Sequence, residues 1–167
     1  MGASEPLSFD PIARAAALWS ERIGESGSMA AVTSVMRVQQ ILQQAVDTAL
    51  RPHGLTFARY EALVLLRFSR AGALPMRTMG ERLQLHPTSI TNIVDRLESS
   101  ALVARRPHPT DGRTTLVEIT EDGRARCAAA TEAVTGIDFG LVGLDDDQVE
   151  ALTALLARVR QASGDFR

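Results

Sequence analysis

A short stretch near the middle of the chain places hydrogen-bonding side chains on one face of a predicted helix, at about residues 87–100. The apolar positions that give this stretch its helical period are Ile90, Ile93, Val94 and Leu97. The polar residues left on the opposite side and its edges are Thr88, Ser89, Thr91, Asn92, Asp95 and Arg96. Asparagine bonds adenine through two hydrogen bonds, arginine bonds guanine in the same way, and threonine contacts thymine. These side chains suit the base edges of DNA; the alternative is the ordinary solvated face of an amphipathic helix.

A second group of residues with the chemistry for DNA lies just beyond this helix. The stretches 102–106 and 114–120 are short and β-prone, and residues 107–113 between them are rich in turn formers, which predicts a hairpin with an arginine at its tip. Arg113 is placed to reach a minor groove, and Arg105, Arg106 and His108 are placed to reach phosphates. The alternative is a solvated turn.

The elements that must position these residues form a recognisable order. Residues 76–84 predict a short helix, and only Gln84-Leu85-His86 link it to the helix at 87–100, so the two must pack at an angle as in a helix-turn-helix. A hairpin follows directly. The order predicts a mainly α fold with a small β-hairpin wing, a winged helix-turn-helix over residues 54–120.

Longer helices are predicted on both sides of this module. The predicted ranges are 10–23 with Asp10 as cap, 28–51, 56–69, 121–134 and a last helix from Asp145, where Asp145-x-x-Gln148 resembles a capping box. In the third helix we expect Phe57, Tyr60, Val64 and Phe68 to face inward, and in the last helix we expect Val149, Leu152, Leu156 and Val159 to be buried. Residues 1–53 and 121–167 are interpreted as dimerisation helices integrated with the module into one domain.

The charge distribution agrees with a polyanionic partner for the middle of the chain. All 18 basic residues are arginine. Residues 51–126 hold 12 Arg against 8 acidic residues, a balance of +4, whereas the rest of the chain balances at −6. No apolar run approaches the roughly 20 residues of a membrane span, and no secretory signal precedes the helices. We therefore expect a cytoplasmic protein with no membrane partner.

No pattern for metal binding or catalysis is present in the sequence. Cys127 is the single cysteine, which excludes an intramolecular disulfide framework and a multi-cysteine zinc site. His53, His86 and His108 fall in three separate turns without ligand spacing. We find no nucleophile–base set and no phosphate-binding loop, so we expect neither an enzyme nor a cofactor. Cys127 is interpreted as a buried small hydrophobe, with a redox switch as the alternative.

Taken together, these residues resemble the MarR family of bacterial transcription regulators. The resemblance is carried by His86 to Glu98 (HPTSITNIVDRLE), by Leu102 to Arg106 (LVARR), by Asp111-Gly112-Arg113 and by Ile119 to Gly123 (ITEDG). The family usually has glycine where this chain has Ala101, so a positive φ there would strain the turn. The resemblance implies a homodimer of entwined terminal helices, two winged modules reading a pseudopalindrome, and a small anionic aromatic effector that lowers DNA affinity.

A narrower resemblance concerns the urate-responsive branch of that family. Trp19 sits in a similar leading helix, Glu61 stands where that branch has aspartate, and Arg105 matches a strand arginine, whereas a second arginine position holds Ile93. The resemblance implies effector binding by Trp19, Glu61 and Arg105 between the long helices and the winged module. For Trp19, a core anchor of the dimer is the alternative.

The sequence thus predicts a ligand-responsive transcription regulator, a repressor that binds double-stranded DNA as a homodimer. The alternative is a winged-helix module for protein contacts without specific DNA binding. The residues assigned to DNA are Thr88, Ser89, Thr91, Asn92, Arg96, Arg106, His108 and Arg113.

Overall fold

A computed structural model of the chain describes residues 7–111 and 113–167. They fall into two compact units, the first ending at Gln44 and the second beginning at Ala45. Among the described residues, no helix is both long and apolar enough to cross a membrane.

The first unit is helical, as predicted. Helix α1, Pro11–Arg22, begins at Asp10, whose Oδ1 accepts the N–H groups of Ile12 at 2.8 Å and Ala13 at 3.3 Å. Helix α2, Gly27–Leu50, supplies the rest of this unit and continues into the second. Many large apolar side chains of the unit are exposed within one chain: Leu18, Trp19, Ile23, Val32, Val35, Met36, Val38 and Ile41.

The second unit holds the predicted winged module and the C-terminal helices. After the end of α2 and a short 3₁₀ turn at Arg51–His53, the elements are α3 Phe57–Phe68, β1 Ala73–Pro75, α4 Met76–Leu83, α5 Pro87–Ser99, β2 Val103–Pro107, β3 Thr115–Ile119, α6 Glu121–Thr135, a 3₁₀ turn Asp138–Gly140 and α7 Asp146–Ala162. The helix bounds agree with the predicted ones to within a few residues. The capping box of Asp145 and Gln148 is present, with the Gln148 N–H 2.9 Å from Asp145 Oδ1.

The core of the second unit lies where α3, α5 and α6 meet the sheet. It is built from aliphatic side chains at helical spacing and from the inward positions of two strands, so that burial of apolar surface stabilises the module. The largest fully buried members are Leu50, Leu63, Leu66, Met79, Ile90, Leu97, Val94, Val103, Val117, Val134 and Cys127.

The sheet has one strand more than the predicted hairpin. β2 and β3 pair antiparallel from Val103 opposite Ile119 to Pro107 opposite Thr115, which confirms the hairpin. β1 adds to the free edge of β3, with Ala73 opposite Glu118, and the strand order is β1-β3-β2. Three residues are too few to show an alternating pattern in the sequence, so β1 was not predicted.

Two burial predictions were wrong for the single chain. Phe68 is 81 % exposed although Leu66, in the same last turn of α3, is fully buried, because two residues of separation place Phe68 on the opposite side of the helix from Leu66. In α7, Leu156 is 38 % and Val159 65 % exposed, and no residue of that helix is buried. The described residues of the chain leave its apolar side chains exposed or half-buried.

Candidate nucleic-acid interface

Helix α5 has the two-sided character that the sequence predicted. Ile90, Val94 and Leu97 are buried and Ile93 is half-buried. The residues assigned to DNA on this helix, Thr88, Ser89, Thr91, Asn92 and Arg96, are all exposed. The helix therefore offers a polar, hydrogen-bonding surface on a rigidly packed base.

The start of α5 is fixed by His86, a role that was not predicted from the sequence. His86 Nδ1 accepts the N–H of Thr88 at 3.3 Å, and its carbonyl accepts the N–H of Ser89 at 2.9 Å. Just before it, Gln84 ends α4 in the left-handed conformation, at φ 53°. The position directly before a proline in the first turn of a helix was the available signal for this cap.

The side of α5 that faces β2 is bound to the wing by Arg105. Its Nη2 lies 2.5 Å from Asp95 Oδ1, and its Nη1 pairs with Glu98 Oε2. Its backbone N–H also donates to Glu98 Oε1, at 2.9 Å. One arginine thus joins β2 to two acids on α5, and the guanidinium fork suits two carboxylates better than a point charge would.

These contacts shift the pKa values of the charged partners. The pKa of Glu98 is lowered, first by the Arg105 backbone N–H and then by its guanidinium. Partial burial alone would lower the pKa of Arg105, but the hydrogen bonds to Asp95 and Glu98 outweigh it and raise the pKa. Arg105 and Glu98 are therefore both charged at neutral pH, and the contact between them is a true ion pair.

The wing loop is ordered by Asp111. Its Oδ1 accepts the N–H of Arg113 at 3.1 Å and its Oδ2 accepts the hydroxyl of Thr114 at 2.7 Å. These bonds, that of Thr114 first, hold the pKa of Asp111 below its usual range. The aspartate of the Asp-x-Arg motif therefore orients the backbone at Arg113 and the side chain of Thr114. The Arg113 side chain is exposed, and no carboxylate among the described residues pairs with it.

The base of the wing is locked to the start of α6. The Thr120 hydroxyl donates to the Ala101 carbonyl at 2.8 Å and accepts the N–H of Gly123 at 3.0 Å. A Cβ on Gly123 would stand 2.0 Å from the Leu102 carbonyl oxygen, so only glycine fits there. Ala101 has φ 56°, which confirms that the position occupied by glycine in the resembled family needs a positive φ.

The remaining residues assigned to DNA lie on the wing, and they differ in exposure and in the contacts that hold their side chains. Arg106 is exposed and forms a 3.3 Å ion pair with Glu118 across the hairpin. His108 is half-buried, and its Nδ1 accepts the N–H of Thr110 at 3.3 Å. Exposed pairs of this kind are worth little, so Glu118 holds the Arg106 guanidinium only weakly.

A cleft of about 500 Å³ lies on the other side of α5, toward α3. Its lining is formed by Thr56, Arg59, Asn92, Ile93 and Arg96. Arg59 and Thr56 were not assigned to a site from the sequence, because α3 gave only an apolar period. A second cleft, of about 550 Å³, lies between α4 and α5 and includes Arg77 and Glu81, which pair with each other at 2.8 Å.

The three residues assigned to an effector are placed in different units. Trp19 lies on α1 in the first unit and is 37 % exposed. Glu61 lies on α3 in the second unit, half-buried, and burial raises the pKa of its carboxyl. Arg105, also in the second unit, is engaged by Asp95 and Glu98.

The described residues hold no cluster of three or more side chains that could bind a metal ion. Cys127 is fully buried in α6, as expected of a small hydrophobe.

Comparison with known proteins agrees with this geometry. A sequence model described as MarR family matches residues 53–114. Sco5413, a MarR family transcriptional regulator from Streptomyces coelicolor, is 55 % identical, with a TM-score of 0.78 over 84 % of this chain and 97 % of that chain. A point mutant of MarR from E. coli, solved in complex with operator DNA, is 28 % identical, with a TM-score of 0.69 over 85 % of this chain and 97 % of that chain. CouR from Rhodococcus jostii RHA1, solved with bound p-coumaroyl-CoA, is 31 % identical, with a TM-score of 0.66 over 75 % of this chain and 87 % of that chain.

The fold and its polar recognition helix define a winged helix-turn-helix, DNA-binding transcription regulator. Within that class, the chain belongs to the MarR family.

Proposed function

We propose that this regulator acts in the cytoplasm as a repressor, binding a pseudopalindromic operator as a homodimer and releasing it when a small anionic aromatic ligand binds. The observation that carries the proposal is the exposed polar face of α5 beside a wing that is fixed to it. Base contacts need such a face, and the fixed wing sets the distance from α5 to the arginine at its tip.

The assignment of individual contacts follows from the exposed side chains. Asn92 and Thr88 lie on the outer face of α5 and suit base edges, and Arg113 suits a phosphate or the minor groove beside the half-site. Arg106 and His108 stand at the base of the wing loop, where phosphate contacts position the module without reading sequence.

The homodimer is supported by apolar side chains that the described residues leave exposed. In the second unit the exposed large hydrophobics include Val142, Leu144, Leu155, Leu156 and Val159. In the first unit α1 and α2 carry the exposed set described above. Exposed apolar side chains in such number are typical of interfaces, and a two-fold dimer gives one helix α5 per half-site.

Selection of bound sequences from random DNA, with the purified full-length chain, tests this function. We expect a two-fold pseudopalindrome whose half-site centres lie about one helical turn, roughly 10 bp, apart. Light scattering of the same preparation should give the mass of two chains. Single unpaired half-sites, a monomeric mass, or no enrichment of any sequence would contradict the proposal, and the last result would favour a protein-contact module.

Ligand response is proposed through Arg105, with Trp19 and Glu61 as further candidates for effector binding. A carboxylate or enolate that binds the Arg105 guanidinium competes with Asp95 and Glu98, and so loosens the contact that holds β2 to α5. A ligand that acts in this way must bind the free protein more tightly than the DNA complex, by the same factor by which it weakens DNA binding.

Fluorescence of Trp19, the only tryptophan, gives a label-free titration. We expect salicylate, urate or a related acid to change Trp19 emission and operator affinity together, and Arg105→Ala to weaken the binding of the acid. If such acids leave both signals unchanged at millimolar concentration, or Arg105→Ala binds one as well as the wild type does, this effector assignment is wrong.

A further inference from the structure

The cleft between α3 and α5 combines two arginines with no acid. Arg59 enters from the first turn of α3 and Arg96 from α5, with Thr56 and Asn92 beside them. No carboxylate is among the lining residues, and neither arginine has a carboxylate partner in the described ranges 7–111 and 113–167.

Neutral groups hold Arg59 in place. Its Nε donates to Thr56 Oγ1 at 3.2 Å and its Nη1 donates to the Gly54 carbonyl at 3.3 Å. These bonds orient the guanidinium while leaving its charge uncompensated. Arg77, in the cleft between α4 and α5, is in contrast neutralised by Glu81. A pre-oriented and uncompensated guanidinium binds an anion with less loss of side-chain entropy than a free one.

The position of the cleft indicates which anion it meets. Asn92 and Arg96 lie on α5, so the cleft begins where the proposed base-reading surface ends. A helix in the major groove is bordered on each side by a phosphate backbone. A side chain that stands beside the helix, at the level of its exposed face, therefore meets phosphate oxygens before it meets bases.

We propose that Arg59 and the Thr56 hydroxyl, together with Arg96 of α5, form a seat for a backbone phosphate of the operator, a DNA contact additional to the base contacts of α5 and to those of the wing. The proposal rests on the proposed function, because it assigns a further contact to the same duplex. The arginine fork matches two phosphate oxygens, and the contact fixes the position of α5 in the groove without reading sequence.

The test compares Arg59→Ala with Arg67→Ala, a control on the same helix that removes the same charge at its other, exposed end. DNA affinity is titrated at several salt concentrations on a selected duplex and on a scrambled one. For Arg59→Ala we expect the magnitude of the slope of log K against log salt to fall by about 0.9 per lost phosphate contact, hence about 1.8 per dimer. The fold loss in affinity should be the same on both duplexes, and Arg67→Ala should keep the wild-type slope.

Several results would overturn the phosphate seat. One is an Arg59→Ala slope equal to that of Arg67→Ala; another is an affinity loss confined to the selected duplex, which would make Arg59 a base contact. Arg59→Lys, which keeps the charge, should retain the slope. If Arg59→Ala fails to fold by circular dichroism, Arg59→Gln, which removes the charge but keeps much of the side-chain length, takes its place with the same expected fall in slope. A wild type that binds no duplex would overturn the proposed function itself, a result distinct from an unchanged slope on DNA that the wild type binds.

Discussion

The two sides of α5 use arginine in opposite ways. On the β2 side, Arg105 is enclosed by Asp95 and Glu98, and its charge is used inside the protein. On the α3 side, Arg59 and Arg96 line a cleft that has no carboxylate among its lining residues, and the proposed role of their charge is to meet a DNA phosphate. The number of arginines in residues 51–126 therefore does not equal the number of arginines available to DNA. Some of them, such as Arg105, stabilise the packing of the elements that carry the others.

The largest effect is expected from Gly123→Ala, which disrupts the close contact between α6 and the residue that precedes β2. The added Cβ would overlap the Leu102 carbonyl oxygen at 2.0 Å, and the backbone of the wing must move to admit it. We expect the free energy of unfolding to fall by about 3 kcal/mol, at the upper end of overpacking costs, as measured by urea denaturation.

Gly27→Ala is the matched control, because Gly27 also lies in a helix and a Cβ there would meet nothing within 4 Å. It should leave stability unchanged or raise it by up to about 1 kcal/mol through helix propensity. Equal effects of the two substitutions would show that the Leu102 contact does not hold the wing.

A smaller effect, on recognition alone, is expected from Asn92→Ala on the α3 side. Loss of a two-bond base contact should cost about 1–3 kcal/mol of discrimination at one base position and leave thermal stability unchanged. Binding to a panel of single-base operator variants measures this. Ser99→Ala, at the exposed end of the same helix, is the control and should keep the wild-type preferences; if Asn92→Ala keeps them too, its side chain does not read a base.

A smaller change of opposite sign is expected from Ala101→Gly. A left-handed backbone conformation costs an L-residue roughly 1–2 kcal/mol, and glycine at position 101 would remove this strain. Part of the gain is lost because glycine has more conformational freedom in the unfolded chain. We expect a net gain of about 1 kcal/mol in unfolding free energy. Ala129→Gly, in an exposed helical position of α6, should destabilise by about 1 kcal/mol; a loss of stability in both variants would contradict strain at Ala101.

The smallest effect is the pH dependence of the contact between Glu98 and Arg105. Because the pKa of Glu98 is lower in the folded than in the unfolded chain, its contribution is complete above the ordinary glutamate pKa of about 4.3 and is lost as pH falls below it. Unfolding free energies of the wild type and Glu98→Gln should therefore differ at pH 7 and converge toward pH 3. A constant difference across that range would exclude a role for the Glu98 charge.

The parts of the fold that could be predicted from the sequence are the elements whose apolar residues recur at a regular local spacing. In α5 the spacing predicts that one face is buried, and the residues on that face, Ile90, Val94 and Leu97, do lie in the core. The pairing of Arg105 with Asp95 and Glu98 joins a helix to a strand, and no spacing rule gives that geometry. β1 was missed because its three residues are too few to show an alternating pattern, and its partner β3 lies far away in the sequence. Phe68 shows the opposite failure, since its spacing from Val64 suits an apolar face, but the buried face of α3 runs through Leu63 and Leu66 and leaves Phe68 outside it.

The double hydrogen bond of Thr120 has a consequence for how the chain folds. It joins residues only 19 positions apart, from Ala101 to Thr120, so the loop that must close is short and its entropy cost is low. The pairing of β1 with β3 joins residues 73 and 118 and requires a much larger loop. Local contacts form faster than distant ones, and we therefore expect the wing to close on α5 and α6 as an early folding unit, before β1 joins the sheet.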